Sequence, residues 1–337
     1  MQALVCQQPG ELYIAERPAP ERAPDEALVR PVRAGLCGTD FHIFEGTHPF
    51  LQYPRVPGHE LAVEIVEAPD GTGLHPGDLC VVIPYLSCGH CIACRSGKPN
   101  CCVSISVLGV HQDGGMAGLL CVPPENLIPA GGLSADACAT VEFLAIGAHA
   151  VRRGQVTDRD RVLVVGAGPI GLGAALFARL SGAAVSIYDR DSERAAEVSA
   201  IVGAEAIPAD DDVSKAVAAV TDHEGFDVVF DATGNANAMG RGFELVAHGG
   251  RYVLVSVVKG NITFADADFH RKEMTLLGSR NATAIDFERV MAGIRDGKVP
   301  TDRLITHRTS LIDAVSNIPL WATEKRGLIK ALVSLDE

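Results

Sequence analysis

Residues 161–182 read RVLVVGAGPIGLGAALFARLSG, an apolar run followed by three spaced glycines and a second apolar stretch. Gly166, Gly168 and Gly171 form the pattern G-x-G-x-x-G between what we predict to be a buried strand and a helix. In that setting the first glycine makes the turn, the second lets the backbone approach a pyrophosphate, and the third lets helix and strand pack closely. The helix N-terminus, with its unpaired N–H groups, favours the phosphates. The stretch therefore predicts a dinucleotide site.

An acidic residue follows at the distance that such a site requires. The next predicted strand, VSIY, ends in Asp189, 23 residues after Gly166. A carboxylate there hydrogen-bonds the ribose 2′-hydroxyl of NAD and repels the 2′-phosphate of NADP. We therefore predict NAD as the cofactor. Arg190 could accept a phosphate, but beside the acid we expect it to stack on the adenine or to be exposed.

Strand–helix alternation continues beyond this unit. The helical stretch SERAAEVSAIVG is followed by the buried strands FDVVFDATG and GRYVLVSV, a pattern typical of a parallel sheet with right-handed crossovers. The first 140 residues instead show short alternating runs and frequent turns, which predict an irregular β-rich unit. A chain of 337 residues exceeds one hydrophobic core. We predict a two-domain α/β protein whose closing strand, GLIKALVSL, returns to the first domain.

The net charge argues against two classes of partner, and the amino-terminal sequence argues against a secretory signal. The net charge of −13 argues against nucleic acid or an anionic membrane as the main partner. The N-terminus lacks a basic and an apolar segment of the kind that makes a signal peptide. We expect a cytoplasmic protein, in which clustered cysteines more often bind metal than form disulfides.

One such cluster occupies residues 88–102, which read CGHCIACRSGKPNCC. Four of its thiols could close a tetrahedron around zinc: Cys88, Cys91, Cys94 and Cys102. An iron–sulfur cluster is the main competitor, but the C-x3-C-P ending of the ferredoxin run is absent. We expect Cys101 to be a bystander and His90 a solvated loop residue. A site closed by four thiolates stabilises a loop, so the chemistry must lie elsewhere.

A second possible metal site combines residues of separate segments. Cys37 lies in a glycine-flanked loop, and His59 and Glu60 follow one another in GHE. A cysteine, a histidine and a carboxylate make an open catalytic zinc site plausible. Taken singly, Cys37 could be a small core residue, His59 a turn residue and Glu60 a surface acid. Their joint occurrence with a nicotinamide site and a structural zinc loop supports the interpretation of all three as metal ligands.

These motifs resemble those of zinc-dependent medium-chain alcohol and polyol dehydrogenases nearly from end to end. Besides the cysteine cluster, the matching landmarks are CGTDFH (37–42), GHE (58–60), HQDGG (111–115), VEFLAIGAHA (141–150), GAGPIG (166–171), DATG (231–234) and GSRNAT (278–283). The resemblance implies a GroES-like catalytic domain, residues 1–147 and 284–337, and a Rossmann NAD-binding domain, residues 148–283. It also places Pro169, Ile170 and Thr233 beside the cofactor.

The resemblance further implies a role for each candidate site residue. Cys37 and His59 bind a catalytic zinc with Glu60 at or near it, and the family's fourth ligand position falls on Glu142. Thr39 and His42 form a proton relay from the reacting hydroxyl to water, which suits a histidine because its pKa lies near neutrality. The four-cysteine cluster holds a second, structural zinc. Two carboxylates together with Cys37 would give the catalytic site a charge of −1, so we expect Glu60 or Glu142 to bind through water or to move.

The substrate is the least determined feature. GVHQDGG, SRNAT and NCC most resemble the L-galactonate 5-dehydrogenase group, which implies oxidation of a secondary hydroxyl of a sugar acid. Arg280 and Asn281 are candidates to bind its carboxylate, although Arg280 could equally bond backbone or cofactor. A polyol or L-threonine substrate stays open, as does an NAD-binding protein with a dead site. We expect a homodimer or homotetramer.

Overall fold

The computed structural model describes residues 1–47, 51–209, 213–324 and 326–336. The chain divides into two compact units, Met1–Glu142 with Thr283–Glu337, and Phe143–Ala282. The expected boundary after residue 147 falls inside the helix Val141–Arg153, whereas the units divide between its second and third residues.

The strands, in chain order, are β1 (Gln2–Gln8), β2 (Glu11–Glu16), β3 (Ala27–Leu36), β4 (Glu60–Glu67), β5 (Leu79–Val82), β6 (Tyr85–Leu86), β7 (Ser106–Val107), β8 (Leu120–Val122), β9 (Leu127–Pro129), β10 (Arg161–Val165), β11 (Ala184–Tyr188), β12 (Glu205–Ala206), β13 (Phe226–Asp231), β14 (Val246–Leu254), β15 (Thr275–Gly278), β16 (Ile305–Ser310) and β17 (Lys330–Ser334).

The α-helices are α1 (Gly38–Glu45), α2 (Ile92–Arg95), α3 (Ala135–Cys138), α4 (Val141–Arg153), α5 (Pro169–Leu180), α6 (Ser192–Val202), α7 (Val213–Val220), α8 (Ala236–Gly242), α9 (Asp266–Arg271), α10 (Ala284–Arg295), α11 (Thr301–Leu304) and α12 (Ala314–Thr323). Short 3₁₀ turns cover Pro99–Cys101, Pro124–Asn126 and Phe243–Leu245. No helix in the described ranges has the length and apolar character needed to cross a membrane.

The second unit contains the predicted parallel sheet. Within the described residues it has six strands in the order β12-β11-β10-β13-β14-β15, and every neighbouring pair is parallel. This is the doubly wound order 3-2-1-4-5-6, which reverses between β10 and β13. Strand β10 is apolar on both faces because helices cover both sides of such a sheet, and Val162, Leu163 and Val164 are fully buried. The prediction of a doubly wound domain is confirmed.

The first unit is built on a largely antiparallel sheet. In the part of the chain that the structure describes, its strand order is β16-β17-β3-β4-β5-β9, with β8 also pairing with β3. The predicted return of the tail is confirmed, because β17 pairs with β3. Gly35 of β3 lies opposite Glu60, and Leu36 lies opposite Ala331. The end of β3 therefore meets the beginnings of both β4 and β17.

Candidate metal and cofactor sites

The four cysteines of the loop between β6 and β7 lie together. One sulfur atom from each of Cys88, Cys91, Cys94 and Cys102 falls in a group whose members are all within 4.8 Å of one another. The Cys91 sulfur is 3.5 Å from that of Cys94 and 3.9 Å from that of Cys102. A tetrahedron with zinc–sulfur bonds of about 2.3 Å has edges of roughly 3.8 Å. The spacing thus fits zinc.

The backbone of this loop favours thiolate. N–H groups of Cys94 and Val103 lower the pKa of Cys91 to about 6, and metal ligation requires the deprotonated form. Cys101 and His90 are not part of this ligand group. Cys101 is exposed, and the His90 ring nitrogen Nδ1 lies 2.6 Å from the Cys88 carbonyl oxygen. Four thiolates fill the coordination sphere of zinc, so this loop fits a structural metal.

The second group joins Cys37, His59 and Glu60, whose ligand atoms also lie within 4.8 Å of one another. Cys37 follows β3 and precedes α1, whereas His59 directly precedes β4 and Glu60 begins it. Sheet pairing between β3 and β4 brings the two segments together. A thiolate, an imidazole and a carboxylate suit zinc and leave it an open position, as a catalytic site requires.

A buried acid that the sequence analysis did not single out connects two of these residues. Asp40 accepts a hydrogen bond from the Cys37 backbone N–H through Oδ2 at 2.8 Å. Its Oδ1 lies 3.8 Å from the His59 Nδ1 atom, and neither atom has a hydrogen-bond partner among the described residues. Histidines that bind metal through one ring nitrogen commonly turn the other toward a carboxylate. The two unpartnered atoms fit this arrangement.

The electrostatics of His59 and Asp40 are coupled. Burial lowers the pKa of His59, but the negative charges of Asp40 and Cys37 outweigh this, so its pKa lies well above the usual value. Burial raises the pKa of Asp40, and the facing His59 opposes that rise. A cation is therefore favoured in this pocket of buried acids.

Glu60 has a partner that the sequence analysis also missed. The Lys330 ammonium donates hydrogen bonds to both carboxylate oxygens of Glu60 at 2.7 Å and to the Leu36 carbonyl oxygen at 3.0 Å. The two residues are 1% and 0% exposed. Burial lowers the pKa of Lys330, but the charges of Glu60, Cys37 and Glu142 and the hydrogen bond to Glu60 together raise it above its usual value, so the lysine stays protonated. The Glu60 carboxylate thus forms a buried ion pair.

Glu142, the fourth expected ligand, lies outside the three-residue group among the described residues. It is buried near the start of α4 and accepts a hydrogen bond from the Tyr85 hydroxyl group. Burial and the nearby charge of Glu60 raise its pKa to about 7, although the charge of His59 opposes the rise. Tyr85 is therefore a further contact that sequence motifs did not reveal.

The expected relay residues lie on α1. The Thr39 hydroxyl oxygen is 3.8 Å from the Cys37 sulfur, and His42 is exposed one turn later on the same helix. The His42 Nδ1 atom lies 2.9 Å from the Thr47 hydroxyl oxygen and 3.4 Å from a Glu45 carboxylate oxygen. The structure thus places Thr39 beside a metal-ligand candidate and His42 next to solvent.

The three glycines of the dinucleotide motif behave differently from one another. Gly166 has a φ of +100°, which strains other residues, and a Cβ there would approach the Ala232 backbone to 3.0 Å. A Cβ at Gly171 would lie 1.8 Å from the Gly166 carbonyl oxygen. A Cβ at Gly168, which precedes Pro169 and Ile170 of α5, would meet nothing within 4 Å. The open face at Gly168 fits the close approach of a pyrophosphate.

Asp189 lies beside this turn, directly after β11. Its oxygens accept hydrogen bonds from the backbone N–H groups of Ala167, at 2.7 Å, and Asp191, at 3.0 Å. Arg194, which the sequence analysis did not consider, donates to the Ala167 carbonyl oxygen at 2.9 Å. Arg190 is exposed. The carboxylate is therefore held at the turn, in a place suited to a ribose.

The neighbouring strand supplies the DATG turn. Asp231, at the end of β13, accepts hydrogen bonds from the Thr233 backbone N–H at 2.9 Å and hydroxyl at 2.7 Å, and from the Tyr252 hydroxyl at 3.1 Å. Strands β10 and β13 flank the point where the strand order reverses, the usual position of a nucleotide in such sheets. Thr233 thus lies at the edge of the sheet where we predict the cofactor to bind, and the buried Asp231 orients its side chain.

Arg280 and Asn281 follow the edge strand β15. Arg280 is exposed, and Asn281 has a φ of +52°. Both belong to the unit that carries the dinucleotide motif. Their part in substrate binding stays a prediction.

Comparison with known proteins identifies the family. Residues 23–132 match the alcohol dehydrogenase GroES-like domain, and residues 169–295 match the zinc-binding dehydrogenase domain. The chain is 42% identical to L-galactonate-5-dehydrogenase of Escherichia coli strain K12, an alignment that covers 99% of each chain.

Two solved structures resemble the whole chain. One is a short chain alcohol dehydrogenase from Escherichia coli CFT073 complexed with NADH, with a TM-score of 0.93 and 29% identity over 99% of each chain. The other is a putative zinc-binding dehydrogenase from Sinorhizobium meliloti 1021 bound to NADP, with a TM-score of 0.91 and 29% identity over 99% of each chain. The cofactors differ, so this similarity favours neither NAD nor NADP.

The chain belongs to the zinc-dependent medium-chain alcohol dehydrogenase family. It is an oxidoreductase that uses zinc and a nicotinamide cofactor, built from a GroES-like β-rich domain and a Rossmann domain. The family assignment and the fold class predicted from sequence are confirmed.

Proposed function

We propose that this enzyme oxidises a secondary hydroxyl of an L-galactonate-like sugar acid to the keto acid, with NAD as hydride acceptor and two zinc ions per chain. The observation that carries the proposal is the 42% identity to L-galactonate-5-dehydrogenase, which extends over 99% of both chains. The net reaction converts the alcohol and NAD⁺ into the keto acid, NADH and one proton.

Different residues of the first unit bind the metal, orient a ligand and transfer the proton. When bound, zinc lowers the pKa of a coordinated hydroxyl and the nicotinamide accepts hydride. Cys37 and His59 hold the metal, and Asp40 orients the His59 ring. The Thr39 hydroxyl, next to Cys37, would accept the substrate proton while it passes its own proton on toward His42, and the exposed His42 would release one proton to water.

Cofactor choice depends on Asp189 in this proposal. Its carboxylate would face the 2′-phosphate of NADP, and two like charges close together are unfavourable. We expect kcat/KM to be clearly higher with NAD than with NADP, and Asp189→Ser to narrow the gap. Asp191→Ser, which removes an exposed negative charge but keeps a side chain that can cap α6, is the control and should leave the ratio unchanged. Equal kcat/KM values for both cofactors in the unmutated enzyme would refute the assignment.

A substrate panel tests the reaction. Aldonates, the corresponding polyols and L-threonine are each supplied with NAD, and NADH absorbance is followed. We expect an aldonate to have the highest kcat/KM. If a sorbitol-like polyol or threonine exceeds every aldonate, the sugar-acid assignment is wrong while the dehydrogenase assignment stands.

Arg280 provides a second test of the substrate. An arginine can bind a carboxylate through two parallel hydrogen bonds worth about 1.5–3 kcal/mol, so Arg280→Ala should lower kcat/KM for the aldonate by roughly ten- to a hundredfold. The matching polyol, which lacks the carboxylate, should lose far less. Arg271→Ala, at an exposed arginine paired with Asp268, is the control. Equal losses on both substrates would make Arg280 structural.

A further inference from the structure

We propose that the HQDGG segment, residues 111–115, positions the metal ligand His59. Three of its residues act on the backbone that leads into this histidine: Asp113, Gly114 and Gly115. The inference rests on a metal at this histidine, as in the proposed function, but not on the substrate or the choice of cofactor. It gives a role to a stretch of sequence that the site described above does not use.

The backbone of His59 lies just outside the paired part of the sheet. Among the described residues, the register of β3 with β4 ends at the pair of Gly35 with Glu60. His59 lies one residue before that pair, so strand pairing does not by itself fix its backbone. Zinc–nitrogen bonds measure about 2.0–2.1 Å, and a ligand displaced by more than about 0.2 Å binds the metal less well. The segment that precedes His59 therefore decides how accurately the ring is placed.

Backbone hydrogen bonds join the HQDGG segment to the residues directly before His59. Three N–H groups of residues 114–116 donate to carbonyl oxygens of residues 56–58, in the pairs Gly114 with Val56 at 2.8 Å, Gly115 with Gly58 at 2.9 Å and Met116 with Pro57 at 3.1 Å. The Gly58 carbonyl group belongs to the planar peptide unit that also contains the His59 nitrogen. The bond from Gly115 therefore fixes the plane from which His59 starts.

The Asp113 carboxylate adds a second attachment. Its Oδ1 accepts hydrogen bonds from the Val56 backbone N–H at 3.0 Å and from the Arg55 guanidinium at 3.1 Å. Its Oδ2 accepts one at 2.7 Å from Arg17, which directly follows β2. Hydrogen bonds between charged partners are shorter and roughly twice as strong as neutral ones. One carboxylate thus ties the segment before the histidine to the end of β2 and to the glycines that follow it.

The glycines leave no room for a side chain between the two segments. Gly58 has a φ of +102°, and a Cβ at Gly114 would lie 2.3 Å from its carbonyl oxygen. A Cβ at Gly109 would lie 2.8 Å from the Gly58 nitrogen. These neighbours are backbone atoms, which cannot rotate aside as the end of a side chain can. Because Gly114 itself lies outside the left-handed region, alanine there would act through this crowding alone and would push the peptide unit of His59.

Gly114→Ala and Asp113→Asn test the proposal in the zinc-loaded, full-length enzyme. The readouts are the time course of zinc release to EDTA, the zinc content by native mass spectrometry and the melting temperature. Cys37→Ser identifies the release phase that belongs to the catalytic zinc, because this variant should lack that phase.

Each variant has a matched control. Gly250→Ala also forces a Cβ against backbone, 2.9 Å from the Ala247 carbonyl oxygen, but in the other unit. Asp136→Asn also neutralises a carboxylate that pairs with two arginines, Arg33 and Arg308, but on α3. Both controls can lower the melting temperature, and neither should change the rate at which the catalytic zinc is released.

Gly114→Ala should release the catalytic zinc about 10- to 100-fold faster, the size of effect expected when residues that orient metal ligands are replaced. Release from the four-cysteine site should not change. Asp113→Asn should have a smaller, several-fold effect on the same phase. Its amide oxygen can still accept the Val56 N–H, whereas the charge that holds both arginines is gone.

Two results would overturn the inference. One is that folded Gly114→Ala and Asp113→Asn enzymes release the catalytic zinc at the unmutated rate. The other is an equal acceleration of both release phases, because a general loosening of the fold would then explain the result. If Gly114→Ala does not fold, Asp113→Asn decides by the same comparison. A Cys37→Ser enzyme that keeps every release phase would instead refute the metal site of the proposed function, and this inference with it.

Discussion

The two metal-ligand groups of this chain are assembled in opposite ways. The four cysteines lie within residues 88–102, so one short loop supplies every ligand. Cys37 and His59 come from separate segments beside β3 and β4, and the lysine that pairs with Glu60 is 270 positions further along the chain. The loop places four identical thiols around a point, whereas the other group combines a thiol, an imidazole and several buried acids.

Because of this difference, we assign the four-cysteine site to the stability of the fold and the mixed site to catalysis. A closed set of four thiolates leaves no position for a substrate, so its metal can only hold the loop in shape. The mixed group leaves a position open and surrounds it with charged side chains that can tune a metal. We therefore expect substitutions in the loop to change unfolding, and substitutions around Cys37 to change turnover.

The largest effect is expected for Cys37→Ser. Serine keeps the size of the side chain but stays protonated near neutral pH and is a poor zinc ligand. Metal catalysis contributes several kcal/mol, so kcat should fall by on the order of a thousandfold or more. Steady-state rates on protein with an unchanged circular dichroism spectrum and melting temperature check this. Activity within tenfold of the unmutated enzyme would remove Cys37 from the catalytic site.

Cys91→Ser should mainly reduce stability. Loss of a structural ligand that costs several kcal/mol lowers the melting temperature by roughly 5–10 °C. The folded fraction should keep its kcat within about threefold, because a closed site has no catalytic role. Cys101→Ser is the matched control: Cys101 is exposed and lies outside the sulfur group, so its loss should not change the melting temperature. Inactive but fully stable Cys91→Ser protein would contradict the division of roles.

Asp40→Asn tests whether the buried acid acts on the metal through His59. The substitution keeps the shape but removes the charge that faces the ring, and we expect zinc affinity or kcat to fall by about 10- to 100-fold. Asp286→Asn is the control, because Asp286 is also fully buried and also accepts a hydrogen bond at a helix start, from the Thr283 N–H at 3.0 Å. Equal effects of the two variants on zinc affinity would show that Asp40 only caps α1.

The smallest effect is expected for Tyr85→Phe, which removes the hydrogen bond to Glu142. Hydrogen bonds to charged groups are worth about 1.5–3 kcal/mol, and part of this should be regained when Glu142 binds the metal more firmly, so we expect kcat to change by about tenfold or less. Tyr252→Phe is the control: its hydroxyl also donates to a buried carboxylate, that of Asp231, but in the other unit. Only Tyr85→Phe should alter zinc release.

Sequence reasoning succeeded where the relevant residues are close together. The glycine pattern 166–171 and the acid Asp189 predicted the doubly wound unit, because strand, turn and helix are consecutive. The spacing of Cys88, Cys91, Cys94 and Cys102 predicted a group of thiols that the structure does bring together. In both cases the physical requirement is local, and a short window of sequence contains all of it.

The partners of the mixed group were missed because sheet register creates them. Lys330 and Tyr85 lie outside the motifs, and their contacts exist only once β17, β3 and β4 are paired and α4 is packed. Asp40 lies within CGTDFH, but it faces His59 only because β3 pairs with β4. Two signals were nevertheless present. Asp40 stands three residues after Cys37, a usual helix-capping distance. Lys330 interrupts the apolar run LIKALV, and a charge within a buried strand requires a partner.

The zinc content of three proteins, measured by native mass spectrometry, decides whether the chain holds two separate metal sites. We predict two zinc ions per chain in the unmutated enzyme and one each in Cys37→Ser and Cys91→Ser. Of the two one-zinc proteins, only Cys91→Ser should be active, since only its catalytic site is filled. A single zinc ion in the unmutated enzyme that is retained in an active Cys37→Ser variant would contradict the assignment of both sites.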